Sequence, residues 1–414
     1  MASQPLRVAI VRARWNPFGG AERFVQRALS ALAAEGVELT VIARRWDAQG
    51  SGEPEVAVRK LLVDPFHVGS AWRDAAFARA VRRVVAAERF DLVQTHERIP
   101  GLAVYRAGDG VHAEFLAQRA RVLPLWRRAW THLSAHHRQA LRAERRLFAH
   151  PSLRAVICNS NMVMDEIAQR FGVPPDRLHL VRNGVDLQRF SPPDAAQRAH
   201  AREALGIPAA AAAFAFVGSG FERKGLACAI QALARLHADA VRAGAPRPQA
   251  VLLVAGADRH RREYVRLAAR LHVSADVRFL GPLTDVLPVL HACDAFVQPA
   301  LYDPLPNAAL EALACGLPVV TSHKSGAAEL IEHGRSGWVV DALDAEGVAT
   351  GMRTLARAGA AGSTGSVRLA ARAAVEHLSV ERMGRELTGL YGLLTAGAAP
   401  PVIPGAVRAD PSPA

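Results

Sequence analysis

The sequence predicts an α/β protein made of two doubly wound parallel-sheet domains facing each other across a cleft. Three observations lead there. The chain has 414 residues, more than one hydrophobic core usually serves. Half of them are apolar and only 6% are aromatic, which suits helices packed on parallel strands better than a β-sandwich. Short apolar runs also alternate with helical patterns in two separate series, the signature of β-α-β units with both sheet faces covered.

The first series opens with LRVAIVRA as a strand, the loop RWNPFGGAE and the helical pattern RFVQRALSALAAEG. VELTVIARR is the next strand, residues 73–88 read as helix, and FDLVQTH and GLAVYRAGD return to strand. A basic helical stretch follows, then the strand RAVICNS and the helix MVMDEIAQRFG. SPPDAAQRAHAREALGIPAAA interrupts the alternation, being rich in Pro and Ala with small helical content. The second series restarts at AFAFVG and runs through QAVLLVAG, VRFLG, AFVQPA, PVVTS and GWVV, with helical patterns between them. The expected division is a first domain over 1–190, a linker over 191–208 and a second domain over 209–395. Residues 396–414, PVIPGAVRADPSPA among them, lack periodicity and read as a mobile tail.

The net charge of +13 suits an anionic partner: nucleic acid, a phosphorylated sugar or an acidic membrane surface. Cys158, Cys228, Cys293 and Cys315 are far apart in apolar stretches without a CxxC pair. That argues against a zinc site or disulfide framework and for a reducing compartment. Arg7 and Arg12 break the apolar start MASQPLRVAIVRARW, which fits neither a signal peptide nor a membrane span, and no run elsewhere approaches the ~18 apolar residues a span needs. A soluble, cytoplasmic protein is expected.

Ligands of open parallel sheets bind beyond the carboxyl ends of the strands. Gly19 and Gly20 follow the first strand, where glycines permit close approach and helix N–H groups favour an anion; a plain tight turn is the alternative. The full G-x-G-x-x-G pattern is absent, which disfavours a hydride-transfer enzyme. Gly218 to Gly225 occupy the equivalent place in the second domain and carry Arg223 and Lys224. Two cations at a helix start oppose the helix dipole unless an anion answers them, and an Arg fork with a Lys suits a diphosphate. Solvated surface charges are the competing reading. Asp303 lies in the loop after the strand Ala295-Phe296-Val297, and Glu311 sits on a helix starting near Asn307. Both carboxylates suit sugar or ribose hydroxyls, against a helix cap for Asp303 and a solvated face for Glu311. From Arg119 to Arg154 nine arginines accompany one acid, Glu144, with Trp126 and Trp130 between them. Arg127, Arg128, Arg138, Arg142, Arg145 and Arg146 are the candidate contacts to an anionic acceptor or bilayer, again against a merely solvated face. No RNA or DNA motif accompanies the charge, so nucleic acid is not the expected partner. His132, His136 and His137 form no convincing metal constellation.

FGGAE, VRNGVDLQRF, FVGSGFERKG, YDPLPNAALEALACGLPVVTS and SGAAELIEHGRSGWVV, in this order and spacing over residues 6–395, resemble glycosyltransferase family 4, retaining nucleotide-sugar enzymes of GT-B fold. RIPGLAVYRAGD at 98–109 and the Arg-rich stretch are similar to the lipopolysaccharide-core glucosyltransferases that act on an inner-core heptose. The resemblance implies two Rossmann-like domains, with the last helical segment crossing back to the first. It also implies a nucleotide-sugar donor, UDP-glucose, without an obligatory metal or cofactor. The acceptor would be a lipopolysaccharide core at the inner face of the bacterial inner membrane, where the enzyme attaches peripherally. Gly19 and Gly20 would approach the donor, Arg223 and Lys224 hold its diphosphate, Glu311 its ribose and Asp303 the transferred sugar, with Gly218 and Asn307 completing the pocket. Asp303 stands where the family commonly has the longer Glu, and Asp109 where it often has His, near a sugar hydroxyl. A non-catalytic protein binding anionic membrane or nucleic acid is the competing class; retention of Arg223, Lys224, Asp303 and Glu311 argues against it.

Overall fold

The computed structural model describes residues 5–15, 28–46, 58–244, 249–360 and 364–397. They form two all-parallel sheets. The first holds β1 (Arg7–Trp15), β2 (Glu38–Trp46), β3 (Arg59–Leu62), β4 (Leu92–Thr95), β5 (Val104–Arg106), β6 (Ala155–Cys158) and β7 (Leu178–Leu180) in the order β3-β2-β1-β4-β5-β6-β7. The second holds β8 (Ala212–Val217), β9 (Ala250–Ala255), β10 (Val277–Gly281), β11 (Ala295–Gln298), β12 (Val319–Ser322) and β13 (Gly337–Val340) in the order β10-β9-β8-β11-β12-β13. Each order reverses once, between β1 and β4 and between β8 and β11. Such a reversal splits the crossover helices to opposite faces and opens a crevice at the strand ends.

Every residue of β4, β5, β6, β9, β11 and β12 is buried. Helices on both faces demand that, and it is why these strands read as unbroken apolar runs. Two edge strands lay outside the sequence reading. β3 is RKLL, exposed or half-buried throughout, and β7 has only three residues. Neither is long or apolar enough to show a period, and both form by adding to a ready-made edge.

The segment expected as a linker is more ordered than its composition implied. Asp194 and Gln197 form a capping box that starts a helix over Ala195–Ala204. Its buried Arg202 donates to the carbonyls of Ala292 and Pro208 at 2.9 and 2.7 Å, so the helix is docked onto the second domain. At the other end, the helix over Val380–Thr395 places Met383, Leu387, Leu390, Tyr391 and Leu394 in one core with Val8, Ile10 and Val41 of the first sheet. The Tyr391 hydroxyl donates to Gln94 Oε1 at 2.7 Å. The chain thus returns to the domain where it began. Residues 398–414, which include most of the expected tail, lie outside the described residues. Among the described residues no helix is long and apolar enough to cross a membrane.

Candidate active site

The site is built from the β8 loop upward. Gly218 has φ +137°, and a Cβ there would lie 2.5 Å from Lys224 Cε. The absent side chain is therefore the space in which the Lys224 stem lies. One helical turn, Phe221–Lys224, stands between Gly220 and Gly225, both left-handed. A Cβ on Gly225 would fall 1.9 Å from the Pro299 carbonyl oxygen, so this turn packs backbone-to-backbone on the end of β11. The Leu301 amide completes the join by donating to the Arg223 carbonyl at 2.8 Å. Gly225→Ala is expected to destabilise the protein by about 1–3 kcal/mol, through the clash and the positive φ together. Urea unfolding measures this, and an unchanged midpoint would show that the turn is not pinned.

Lys224 is buried, and its Nζ lies 2.9 Å from Asp303 Oδ2. Arg223 Nη2 is 3.9 Å from the same oxygen, with its side chain 36% exposed. Burial alone would push the Asp303 carboxyl up, but the charges of Lys224 and Arg223 outweigh it and hold the group below its ordinary value. The Asp303 backbone is fixed from the β12 side. Its amide donates to the Lys324 carbonyl, and its own carbonyl accepts from the Gly326 amide, each at 2.9 Å. The next helix, Asn307–Ala314, begins after Pro306 with no side-chain cap. Asp303 therefore pairs with Lys224 instead of capping this helix. Glu311 is 4% exposed, which removes the solvated-face reading. At the start of the same helix Asn307 Oδ1 accepts from Asn183 Nδ2 at 2.7 Å, and Asn183 Oδ1 in turn accepts from the buried Arg106 at 3.0 Å. A polar chain thus runs from the first sheet to the helix carrying Glu311.

Asp109 follows β5 on the facing domain. Its carboxylate is half exposed and 3.9 Å from Arg12. The loop it occupies is held by two residues that the sequence reading missed, Arg98 and Tyr302. Arg98 donates to the Gly110 carbonyl and to the buried Glu144, each at 3.1 Å. Tyr302, adjacent to Asp303, accepts from the Val111 amide at 2.8 Å and donates to Glu166 at 2.7 Å. Lys324 reaches Glu166 at 2.9 Å and Glu114 at 3.2 Å. The loop bearing Asp303 is in this way tied to the loop bearing Asp109. One signal was available: a fully buried tyrosine hydroxyl must find a partner, and Tyr302 precedes the candidate acid directly.

The structure brings Gly218, Arg223, Lys224, Asp303, Asn307 and Glu311 to the carboxyl end of the second sheet, with Asp109 opposite. Gly19 and Gly20 lie outside the described residues. Among the candidate arginines the described contacts differ. Arg142 and Arg146 line a cavity of the first domain, and Arg145 a different one. Arg128 folds onto the Leu123 carbonyl at 2.9 Å, and Arg127 lies over the Trp126 ring at 5.0 Å.

Residues 18–189 match the family model Glycosyltransferase Family 4, and residues 197–360 match Glycosyl transferases group 1. Among curated proteins, the chain is 27% identical over 334 residues to the lipopolysaccharide glucosyltransferase WaaG of Escherichia coli (strain K12), covering 80% of this chain and 84% of that one. It is 28% identical over 340 residues to the lipopolysaccharide core biosynthesis glycosyltransferase LpsE of Rhizobium meliloti (strain 1021), with 80% and 84% covered. It is also 26% identical over 384 residues to the D-inositol 3-phosphate glycosyltransferase of Rhodococcus jostii (strain RHA1), with 85% and 82% covered. The crystal structure of WaaG superposes with a TM-score of 0.78 at 24% identity, covering 93% of this chain and 99% of that one. Two facing parallel-sheet domains, a cation-lined loop at the second switch point and family matches over both halves lead to one conclusion: the chain is a glycosyltransferase of family 4 with the GT-B architecture.

Proposed function

We propose that this glycosyltransferase moves a hexose, glucose from UDP-glucose, to a lipopolysaccharide-core acceptor with retention of anomeric configuration. The observation that carries the chemistry is the buried Lys224–Asp303 pair, with Arg223 beside it, opposite the Asp109 loop. Arg223 and Lys224 meet the charge that grows on the departing diphosphate, an electrostatic task in which one lost donor costs about 3 kcal/mol. The acceptor hydroxyl attacks on the face that the diphosphate leaves, and a leaving phosphate oxygen takes its proton, so no protein nucleophile is required. Asp303 orients the hexose, Glu311 the ribose, and Asp109 a hydroxyl on the acceptor side. Gly218 and Asn307 border the donor, and Gly19 and Gly20 approach it from the first domain.

The names of the WaaG and LpsE relatives support the acceptor. The inositol-phosphate relative supports a second reading, another glycosyltransferase acting on a different cell-surface glycan or glycolipid. Calorimetric titration with UDP-glucose, GDP-mannose and ADP-glucose tests the donor. UDP-glucose is expected to bind at least tenfold tighter than the others, and preference for GDP-mannose would overturn the glucosyl reading. NMR of the transferred sugar's anomeric proton tests retention.

Peripheral attachment to the cytoplasmic face of the inner membrane is part of this proposal. The helix over Leu125–Leu133 exposes Leu125 at 79%, Trp126 at 62% and Trp130 at 70%, with Arg127 against Trp126. Indole rings flanked by arginine suit an anionic bilayer interface. Replacing Trp126 and Trp130 by Ala together should lower sedimentation with phosphatidylglycerol vesicles severalfold at low salt. Equal sedimentation would leave the helix as a solvated face.

A further inference from the structure

The first domain contains a cavity of about 620 Å³ whose lining, among the described residues, holds nine arginines and three carboxylates. Its volume is in the ~300–1,000 Å³ range of sites that enclose a small ligand. The arginines come from separate elements: Arg12 from β1, Arg44 from β2, Arg82 from the helix over Gly69–Ala87, and Arg142 with Arg146 from the helix over Ala135–Phe148. The last two are four residues apart and so share a face.

The three carboxylates are already engaged. Glu97 accepts from the Ala13 amide at 2.9 Å, Asp74 pairs with Arg73 at 2.9 Å, and Asp109 stands 3.9 Å from Arg12. Among the described residues no carboxylate lies within 4 Å of Arg142 or Arg146. Arg44 is 5% exposed and has Asp64 at 3.8 Å. Burial, joined by the like charges of Arg73, Arg14 and Arg45, disfavours its guanidinium despite Asp64. Among the described residues nine guanidiniums line this concave wall with three carboxylates, while Glu144 and Asp64 answer Arg98 and Arg44 from beside it. Such an excess of positive charge suits a multiply charged anion. The cavity's position says where that anion belongs. Asp109 is on its lining, and the next residues, Gly110 and Val111, touch Tyr302 beside Asp303. A ligand in the cavity lies alongside the donor site.

We infer that this cavity is an acceptor subsite for a sugar carrying a phosphate monoester near the accepting hydroxyl. The inference rests on the donor reading above and gives the acceptor its chemistry. It also separates Arg142 and Arg146 from the bilayer contacts, turning them toward the acceptor.

The test uses the full chain with its donor site saturated with UDP, so that Arg223 and Lys224 are occupied. Glucose 6-phosphate, glucose and inorganic phosphate are titrated calorimetrically into the wild type, the Arg82→Gln/Arg146→Gln variant and, separately, Arg44→Gln. Glucose 6-phosphate should bind at least tenfold tighter than glucose, and inorganic phosphate should compete with it. The double variant should lose tenfold or more of that affinity while its UDP affinity and unfolding temperature stay unchanged. Weakening of the wild-type affinity by added salt is a further expected result. Sedimentation with phosphatidylglycerol vesicles distinguishes a lipid headgroup as the source of the phosphate. Unchanged sedimentation of the double variant supports the sugar phosphate, whereas lost sedimentation with intact sugar-phosphate binding overturns the proposal. Equal binding of glucose 6-phosphate by wild type and double variant overturns it too. If UDP itself does not bind, the donor reading fails, and the same titrations in a Lys224→Ala background still decide the cavity.

Discussion

Lys224→Ala is expected to cut sugar transfer by about a hundredfold or more and to lower the stability of the fold at the same time. Both effects follow from one contact. Lys224 Nζ lies 2.9 Å from Asp303 Oδ2, and both side chains are buried. Removing the ammonium strands a buried carboxylate, a change that typically costs about 3–5 kcal/mol. It also removes one of the two cations assigned to the diphosphate, where a lost donor costs about 2.7–4 kcal/mol of transition-state stabilisation. Stability and catalysis can be separated by adding Asp303→Asn. The double variant has no stranded charge and should recover most of the lost stability in urea unfolding, yet it should remain inactive. Recovery of transfer in the double variant would mean that Lys224 acts only as the counter-ion of Asp303. Arg223→Ala is the control. Its side chain is partly exposed and 3.9 Å from Asp303, so transfer should fall about tenfold with little change in stability.

The same pair gives the protein a dependence on pH whose sign is fixed. The Asp303 carboxyl lies below its ordinary value of 3.8 in the fold. A depressed carboxylate contributes stability that is fully present above the unfolded value and is lost as the pH falls through the folded one. The wild type should therefore weaken on acidification below about pH 4, and Lys224→Ala should show less of this loss because the cation that depresses Asp303 is gone.

How much of this was legible in the sequence depended on distance along the chain. The loop Gly218–Gly225 and the segment from Asp303 to Glu311 carry their chemistry within short stretches, and the strands that deliver them are buried on both faces. The apolar runs therefore announced both the strands and the loops that end them. β3 and β7 gave no such signal, because an edge strand needs only one neighbour and neither has an apolar period. The capped helix at Ala195–Ala204 was hidden by surrounding Pro and Ala, although Asp194 and Gln197 spell a capping box. The union of the two domains was least legible. Tyr302 meets Val111 and Glu166 across sequence separations of 191 and 136 residues, and no local pattern encodes such a meeting. The arginine cavity is similar: from Arg12 to Arg146 its charges are scattered along the first domain, and only the sheet order turns a basic composition into a concave basic wall.

Asp303 and Glu311 offer the sharpest separation of roles, because isosteric amides test charge without opening a cavity. Glu311 sits on the helix Asn307–Ala314 with 4% exposure, where its carboxylate is assigned to the two ribose hydroxyls. Gln keeps one acceptor and adds donors, so Glu311→Gln gives up a charge-assisted contact worth about 1.5–3 kcal/mol. Affinity for free UDP should fall about tenfold to a hundredfold. Asp303→Asn should behave in the opposite way. In the free protein Asp303 holds Lys224, and the amide releases that ammonium to the diphosphate. Affinity for free UDP is therefore expected to stay level or to rise, while turnover should fall about a hundredfold for want of the carboxylate proposed to orient the hexose. Calorimetry with UDP and initial-rate measurements with UDP-glucose and a truncated lipopolysaccharide acceptor read the two quantities separately. Loss of UDP binding in Asp303→Asn together with unchanged binding in Glu311→Gln would reverse the assignment. Full transfer by both variants would move the reaction away from this loop and helix altogether.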